Sequence, residues 1–186
     1  MSIDRRQFTI AATLAVGGAV APAFAQTSDP ANTIVMELKD GRVVIRLRPD
    51  LAPKHVAQIK TLVKRGFYDG IVFHRVIDGF MAQTGDPTGT GTGKSDLPNI
   101  PAEFTSTPFV RGTVGMARSQ SPDSANSQFF ICFADASFLN NKYTVVGEVV
   151  SGMEFVDKIK KGSQAQNGQV TNPDKMIRVR MLADAK

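Results

Sequence analysis

Two stretches of the chain decide the fold: residues 73–86 read FHRVIDGFMAQTGD, and residues 126–133 read NSQFFICF. In both, large apolar residues stand between turn signals such as Asp78-Gly79, a pattern typical of short strands. One arginine, Arg75, and one glutamine, Gln83, lie among the apolar residues of the first stretch. No obvious nucleophile, metal cluster or acid–base pair accompanies them. The combination suits an enzyme that breaks no covalent bond.

Short strands are also predicted on both sides of these stretches. Thr33–Leu38 and Val43–Leu47 read as a hairpin around the turn signal Asp40-Gly41. Residues 73–77 alternate, which places Phe73 on the same face as Arg75. Further strands are predicted at residues 80–83, 112–117, 128–133, 145–150 and 176–181.

Two helices are predicted among these strands. Residues 55–65 carry Val56, Ile59, Leu62 and Val63 at helical spacing and stop at Gly66. Residues 153–160 form a second, shorter amphipathic segment. Many short strands with two helices far apart in the sequence indicate a closed antiparallel β-barrel capped at its ends, because closure removes exposed strand edges.

The chain of 186 residues, 42% of them hydrophobic and with a formal net charge of +5, fits one domain with an export signal. The pair Arg5-Arg6, an apolar stretch at residues 9–20 and the sequence Ala23-Phe24-Ala25 predict a cleavable signal over residues 1–25. It is similar to twin-arginine signals, with the Sec route and an uncleaved membrane anchor as alternatives. Residues 26–31 read as a flexible leader and residues 32–186 as the domain.

Several other kinds of site are disfavoured by the sequence. Residues 88–95, TGTGTGKS, have Thr88 where a phosphate-binding loop needs glycine, and Pro98 follows where a helix should begin. Only His55 and His74 are present as histidines, too few for a typical metal site. The single Cys132 lies in an apolar run and reads as a buried, inert thiol. The basic residues are scattered, which disfavours nucleic-acid binding.

Taken together, the motifs resemble the cyclophilins, a class of peptidyl-prolyl cis-trans isomerases. The similarity covers about Thr33 to Met181, and its most specific pieces are FHRVI at residues 73–77, GFMAQ at 79–83, GMA at 115–117 and SQFFI at 127–131. The insert at residues 119–127 looks like the bacterial branch of the family. The resemblance implies a mainly β fold, a closed eight-stranded antiparallel β-barrel capped by two α-helices.

The resemblance also implies roles for individual residues. Arg75 would be catalytic, and Gln83 would hydrogen-bond the substrate backbone. Other positions implied are Phe80, Met81, Phe130 and Leu139 in the proline pocket, Ala117, Arg118 (through its backbone), Gln128 and Phe129 along the groove, and Thr92 and Gly93 near a secondary pocket. Phe138 and Tyr143 stand where many eukaryotic members have Trp and His, so cyclosporin binding is expected to be weakened while catalysis survives.

The implied reaction is rotation about an Xaa-Pro peptide bond, whose barrier is about 18–20 kcal/mol because resonance gives the C–N bond double-bond character. A guanidinium directed at the imide nitrogen would stabilise the twisted state more than the planar one, and only this difference accelerates the step. No cofactor or metal is required. The expected partners are proline-containing unfolded or flexible polypeptides, with no nucleic acid and no stable membrane insertion after signal cleavage.

The resulting expectation is a monomeric prolyl isomerase that assists protein folding in the periplasm. The main alternative is a proline-peptide binding module or holdase chaperone with little turnover, since the same pocket could bind a peptide without accelerating its isomerisation.

Overall fold

The computed structural model describes residues 29–185. Its strands are β1 (Thr33–Leu38), β2 (Gly41–Leu47), β3 (Arg75–Ile77), β4 (Met81–Thr84), β5 (Thr113–Met116), β6 (Phe129–Cys132), β7 (Val145–Ser151) and β8 (Arg178–Met181). They form one antiparallel sheet in the order β3-β4-β6-β5-β7-β2-β1-β8. The helices are α1 (Pro53–Lys64) and α2 (Met153–Asp157), with short 3-10 helices at Pro30–Asn32, Pro122–Ser124, Ser137–Leu139, Gln164–Gln166 and Leu182–Asp184.

Most predicted elements are confirmed, with shifted ends. β1 and β2 pair as the predicted hairpin, with Leu38 opposite Gly41. The strand predicted from Phe73 begins only at Arg75, and Phe73 packs in the same core cluster as Val76 instead of sharing a face with Arg75. The second helix ends at Asp157, earlier than predicted. The predicted signal, residues 1–25, lies outside the described residues, and Pro30–Asn32 form a 3-10 helix capped by the carboxylate of Asp29.

A distant side chain caps the start of α1. Ala52 at the cap position has no side chain that could accept a hydrogen bond, and Pro53 follows it. The carboxylate of Glu103 accepts from the backbone N–H of Lys54 at 3.2 Å and of His55 at 3.1 Å. These donors would otherwise be unsatisfied at a helix N-terminus. The loop around Glu103 is thereby tied to the helix that covers the sheet.

The sheet is open, so the prediction of a closed barrel is wrong. β3 and β8 lie at opposite ends of the strand order and share no ladder. A side chain occupies the free side of β8: the Asp69 carboxylate accepts from the backbone N–H of Val179 at 2.9 Å and from the guanidinium of Arg180. Only isolated backbone bonds cross the gap, such as Phe73 N–H to the Asp174 carbonyl at 2.8 Å. β3 and β8 are therefore not joined by a ladder, and the curled sheet is a half-barrel.

Two apolar clusters fill the fold. The larger lies between the sheet and the helices and includes the buried stripe of α1, formed by Val56, Ile59, Leu62 and Val63. The smaller cluster includes Met81, Phe109, Phe130, Cys132, Ala136, Leu139 and Val145. Within it, burial raises the pKa of Cys132 to about 12, so its thiol stays protonated and unreactive at neutral pH.

Within residues 29–185, no helix has the length and apolar character needed to cross a membrane.

Candidate active site

Strand register brings the predicted catalytic residue and its neighbours into one row. Arg75 on β3 lies opposite Gln83 on β4, Gln83 lies opposite Phe130 on β6, and Phe130 lies opposite Gly115 on β5. Directly opposite residues in a sheet present their side chains on the same face. A Cβ atom at Gly115 would lie 2.6 Å from the rings of Phe130 and Phe109. Glycine at this position therefore leaves room for the Phe130 ring.

An open cavity of about 270 Å³ lies over this row and is called the aromatic cavity below. Its floor is apolar, since Met81, Phe130 and Leu139 are buried side chains of the smaller cluster. Its full lining is Arg75, Phe80, Met81, Gln83, Ala117, Arg118, Phe130, Phe138, Leu139 and Tyr143. A small ring could enter this space and contact apolar walls on one side and a guanidinium on the other.

Aromatic contacts shape the rim of the aromatic cavity. Phe138 is 60% exposed and its ring lies 5.2 Å from that of Phe80. Tyr143 meets Phe130 edge to face at 5.9 Å. The guanidinium of Arg118 lies 4.5 Å above the Tyr143 ring and donates to the Lys142 carbonyl, so its charge is held against the rim. The rim is thus partly ordered before any ligand binds.

Arg75 is held by three hydrogen bonds. Its Nε donates to the backbone carbonyl of Asn167 at 3.0 Å, its Nη2 to Asn167 Oδ1 at 2.9 Å, and its Nη1 to Gln83 Oε1 at 3.2 Å. Burial lowers the pKa of Arg75, while Tyr143 acts in the opposite direction. The guanidinium still carries its charge at neutral pH because arginine does not deprotonate there. Arg75 is therefore a fixed cation at the wall of an apolar cavity.

A chain of amide hydrogen bonds leads from Arg75 to a second cavity. Gln83 Nε2 donates to Gln128 Oε1 at 2.9 Å, and Gln128 Nε2 donates to the carbonyls of Gly91 and Gly93 at 3.0 and 2.9 Å. The second cavity, of about 380 Å³, is called the polar cavity below. It is lined by Gln83, Gly91, Thr92, Gly93, Lys94, Asn99, Ala117, Arg118, Ser119, Ser124, Asn126 and Gln128. The two cavities share Gln83, Ala117 and Arg118, so one extended ligand could occupy both.

Asp86 organises the glycine-rich wall of the polar cavity. Its buried carboxylate accepts from the backbone N–H groups of Thr88, Thr90, Gly91 and Gly93, at 2.7, 3.1, 2.5 and 3.1 Å, and from the Thr88 hydroxyl. Burial alone would raise the pKa of Asp86, but these bonds outweigh burial and lower it. The glycine-rich loop of residues 88–93 is thus folded around one charged group.

The structure brings together nearly all of the residues implied by the resemblance. Thr92, Gly93 and Gln128 line the polar cavity, and the others line the aromatic cavity or both. Phe129 is the exception: its ring is buried in the larger cluster and meets Tyr68 edge to face at 5.5 Å. Alternation along β6 turns Phe129 away from the face that carries Phe130. Phe129 therefore lies outside the linings of both cavities.

Sequence reasoning missed Asn167, which contacts Arg75 through two oxygen atoms. Asn167-Gly168 could have been read as a turn signal, but Asn167 lies 92 residues from Arg75 and no local pattern joins them. It also missed the far wall of the polar cavity, which includes Lys94 and Asn99. These polar residues stand in loops, where periodicity gives no information on the direction of a side chain.

The arrangement favours binding and charge stabilisation over proton transfer. Within residues 29–185, no group of three or more His, Cys, Asp or Glu side chains is placed to hold a metal ion. The aromatic cavity offers a fixed cation, an amide and apolar walls, and its lining contains no carboxylate, histidine or cysteine. Such a site can hold a ring, orient the adjoining backbone and stabilise an electron pair that develops in a transition state.

Comparison with known proteins gives a consistent result. Residues 33–181 match the family model of the cyclophilin type peptidyl-prolyl cis-trans isomerases. A probable peptidyl-prolyl cis-trans isomerase of Brucella suis biovar 1 (strain 1330) is 60% identical over the whole of both chains. A peptidyl-prolyl cis-trans isomerase of Helicobacter pylori (strain ATCC 700392 / 26695) is 43% identical over 66% of this chain and 76% of its own length.

Solved structures share the fold. A cyclophilin from Hirschia baltica superposes with a TM-score of 0.76 at 29% identity, over 85% of this chain and 76% of its own. A cyclophilin type isomerase from Cryptosporidium parvum, crystallised in the presence of the dipeptide Ala-Pro, superposes with a TM-score of 0.73 at 25% identity. That match covers 80% of this chain and 98% of the other.

Proposed function

The chain belongs to the cyclophilin type peptidyl-prolyl cis-trans isomerases, and we propose that the aromatic cavity is its active site, with Arg75 as the catalytic residue. The substrates of such an enzyme are proline-containing polypeptides. In this proposal the proline ring occupies the apolar floor formed by Met81, Phe130 and Leu139, beside Phe80. Gln83 holds the substrate backbone, so that rotation is directed to one bond.

The observation that carries the proposal is the state of the Arg75 guanidinium. Three of its five N–H groups are used by Asn167 and Gln83, which leaves two without a partner among residues 29–185. These two belong to Nη1 and Nη2 of a residue that lines the aromatic cavity. A bound proline would thus meet an ordered cation that still has hydrogen-bond donors to offer.

Such a donor acts on the transition state. At mid-rotation the imide nitrogen loses amide resonance and gains a lone pair, whereas in the planar ground state that pair is delocalised into the carbonyl. A donor directed at the nitrogen stabilises the twisted state selectively, and selective stabilisation is what raises the rate. The partly dry surroundings strengthen the interaction, and no proton has to be transferred.

The test is an isomerisation assay on an Xaa-Pro peptide with wild type and Arg75→Ala. Loss of the guanidinium is expected to lower kcat/KM by at least about tenfold, which corresponds to about 1.4 kcal/mol of transition-state stabilisation. Arg65→Ala serves as the control, since Arg65 is half exposed, makes one ion pair with Asp96 at 3.4 Å and lines neither cavity. A folded Arg75→Ala protein with unchanged kcat/KM would refute the proposed role.

The same assay separates an isomerase from a peptide-binding module. If the wild type binds the peptide in an NMR titration but exchange between cis and trans peptide signals is no faster than without protein, the cavity only binds. The expected outcome is exchange that accelerates in proportion to the amount of enzyme added.

We also propose that the enzyme works on folding polypeptides in the periplasm. The support is the N-terminal sequence, with Arg5-Arg6, the apolar residues 9–20 and Ala23-Phe24-Ala25 before the expected cleavage position. Slow Xaa-Pro isomerisation, on the order of tens of seconds without a catalyst, gives such an enzyme a task in refolding. A reporter fused to residues 1–32 should reach the periplasm, and retention in the cytoplasm would contradict the proposal. Arg5→Lys with Arg6→Lys tests the twin-arginine route, since continued export would indicate Sec.

A further inference from the structure

We propose that Asn167 is a positioning residue that fixes the guanidinium of Arg75 in its productive orientation. The inference rests on the proposed catalytic role of Arg75. Asn167 stands in the loop of residues 163–168, outside the lining of both cavities, and is exposed. It therefore acts through Arg75 rather than by touching the substrate.

The geometry of the contact between Asn167 and Arg75 restricts the guanidinium. Asn167 accepts two hydrogen bonds, with its backbone carbonyl at 3.0 Å from Nε and its Oδ1 at 2.9 Å from Nη2 of Arg75. Nε and Nη2 are adjacent nitrogens on one edge of the planar guanidinium, so a pair of acceptors on that edge fixes the plane as well as the position. Gln83 adds a single bond at 3.2 Å from the other side. Of the two residues that bind the guanidinium, Asn167 therefore restricts its orientation more than Gln83 does.

The backbone of the loop holds Asn167 in place. Its φ of 52° and ψ of 38° lie in the left-handed region, which asparagine tolerates better than most residues. The Gly168 N–H donates to the Ser163 carbonyl at 2.8 Å, and the Gly168 carbonyl accepts from the Val76 N–H at 2.7 Å. The loop is thus anchored to the residue that follows Arg75 in β3.

At Gly168 the loop backbone packs closely against β3. A Cβ atom at Gly168 would lie 2.4 Å from Cγ1 of Ile77 and 3.1 Å from the carbonyl oxygen of Val76. Glycine therefore allows the loop backbone to approach β3 closely enough to place both Asn167 oxygens against the guanidinium. The position of Asn167 is set by the fold and does not depend on a ligand.

The orientation of the Arg75 guanidinium affects the rate of catalysis. The free N–H groups of Arg75 stabilise the imide nitrogen only when that nitrogen is pyramidal. An error in the orientation of the guanidinium therefore lowers transition-state stabilisation. Asn167 lies outside the lining of the aromatic cavity, whose apolar residues would bind the proline ring. Loss of the Asn167 side chain should therefore lower kcat and leave peptide affinity and KM nearly unchanged.

The test compares Asn167→Gly and Asn167→Asp with wild type. Asn167→Gly keeps the left-handed backbone and its carbonyl acceptor and removes only the side-chain acceptor. We expect kcat for an Xaa-Pro peptide to fall about fivefold, or about 1 kcal/mol, with KM changed by less than about twofold. Asn167→Asp retains a side-chain oxygen toward Nη2 and should recover kcat to within about twofold of wild type.

The chain offers a matched control in Asn172, which also has a φ of 52° and is exposed. Asn172→Gly makes the same chemical change in the same backbone conformation, away from Arg75, and should leave kcat unchanged. A second readout is the Arg75 Nε–Hε NMR signal, which should shift or broaden in Asn167→Gly and keep its wild-type position in Asn172→Gly.

Three results would overturn the inference: wild-type kcat in folded Asn167→Gly, an equal loss in Asn172→Gly, or a loss in Asn167→Asp as large as in Asn167→Gly. Failure of the proposed function is recognised separately, because Arg75→Ala would then keep wild-type kcat whatever the Asn167 variants do. If Arg75→Ala loses activity and Asn167→Gly does not, only the positioning role is wrong.

Discussion

Gln83 donates a hydrogen bond from Nε2 to Oε1 of Gln128 at 2.9 Å, and this bond links the two cavities of the groove. On one side Gln83 Oε1 accepts from Arg75, and on the other side Gln128 Nε2 donates to the carbonyls of Gly91 and Gly93. Each amide is therefore oriented by both of its neighbours. The two glutamines are not equivalent, because only Gln83 contacts the guanidinium.

This asymmetry predicts different kinetic effects for the two glutamines. Gln83→Ala removes a partner of Arg75 and is expected to lower kcat by about tenfold, whereas Gln128→Ala should mainly raise KM, by about threefold. Both are measured with the same Xaa-Pro peptide. Gln58→Ala is the control, because Gln58 bonds two backbone carbonyls and lines neither cavity. Equal losses of kcat in the Gln83 and Gln128 variants would contradict the view that these hydrogen bonds affect catalysis through Arg75.

The carboxylate of Asp86 predicts a combined effect on stability and on substrate length. Asp86→Asn places an amide N–H₂ among backbone N–H donors, so the free energy of unfolding should fall by about 1–3 kcal/mol. KM should rise for a peptide long enough to reach the polar cavity and change little for a short Xaa-Pro peptide. Urea unfolding and kinetics with the two peptides check both effects. Asp96→Asn, a 79% exposed carboxylate nearby, should change neither; similar behaviour of the two variants would refute the role of Asp86.

Alternation alone did not predict the faces of β3, since Phe73 packs in the core with Val76 and does not share a face with Arg75. The sequence was sufficient to indicate Arg75 and Gln83 as candidate site residues, through the motifs that resemble the family. It was not sufficient for contacts made across the chain. Glu103 caps α1 from a loop, and Asn167 reaches Arg75 from another loop. Both contacts depend on where irregular segments cross the sheet, and no local periodicity encodes that. For the same reason the closed barrel was predicted wrongly, since the pairing of β3 with β8, which the structure lacks, is also a contact between distant parts of the chain.

Phe138 predicts how the site responds to cyclosporin. Its ring is exposed at the rim beside Phe80 and offers no hydrogen-bond donor. Phe138→Trp adds an indole N–H at this position and should raise cyclosporin affinity by about tenfold, while kcat/KM stays within about twofold.

The chain contains no Trp, so the introduced indole is its own fluorescence reporter for the titration. Phe104→Trp is the matched control, since Phe104 is 38% exposed and lines neither cavity. Equal cyclosporin affinity in the two variants would show that the donor at the rim does not matter.

The two histidines of the chain predict a loss of stability in mild acid. His55 and His74 are buried, and burial lowers the pKa of each. Glu103 partly opposes this for His55, and for His74 Asp86 opposes it while Arg75 adds to it. Both rings are therefore neutral in the folded protein at a pH where the unfolded chain begins to bind protons. Stability is fully present above the unfolded pKa of about 6.5 and falls as the pH drops from there toward the folded pKa.

Urea unfolding between about pH 7.5 and pH 5.5 measures this loss in a range where most carboxylates stay ionised. Each histidine should contribute a slope of up to about 1.4 kcal/mol per pH unit below its unfolded pKa. His74→Leu removes one of the two titrating rings and should roughly halve the slope. The substitution breaks no hydrogen bond, because neither ring nitrogen of His74 has a partner within residues 29–185. His55 donates to Glu103 at 2.7 Å and is retained in this variant. Stability that does not change over this pH range, or an unchanged slope in His74→Leu, would show that the buried rings accept protons without penalty.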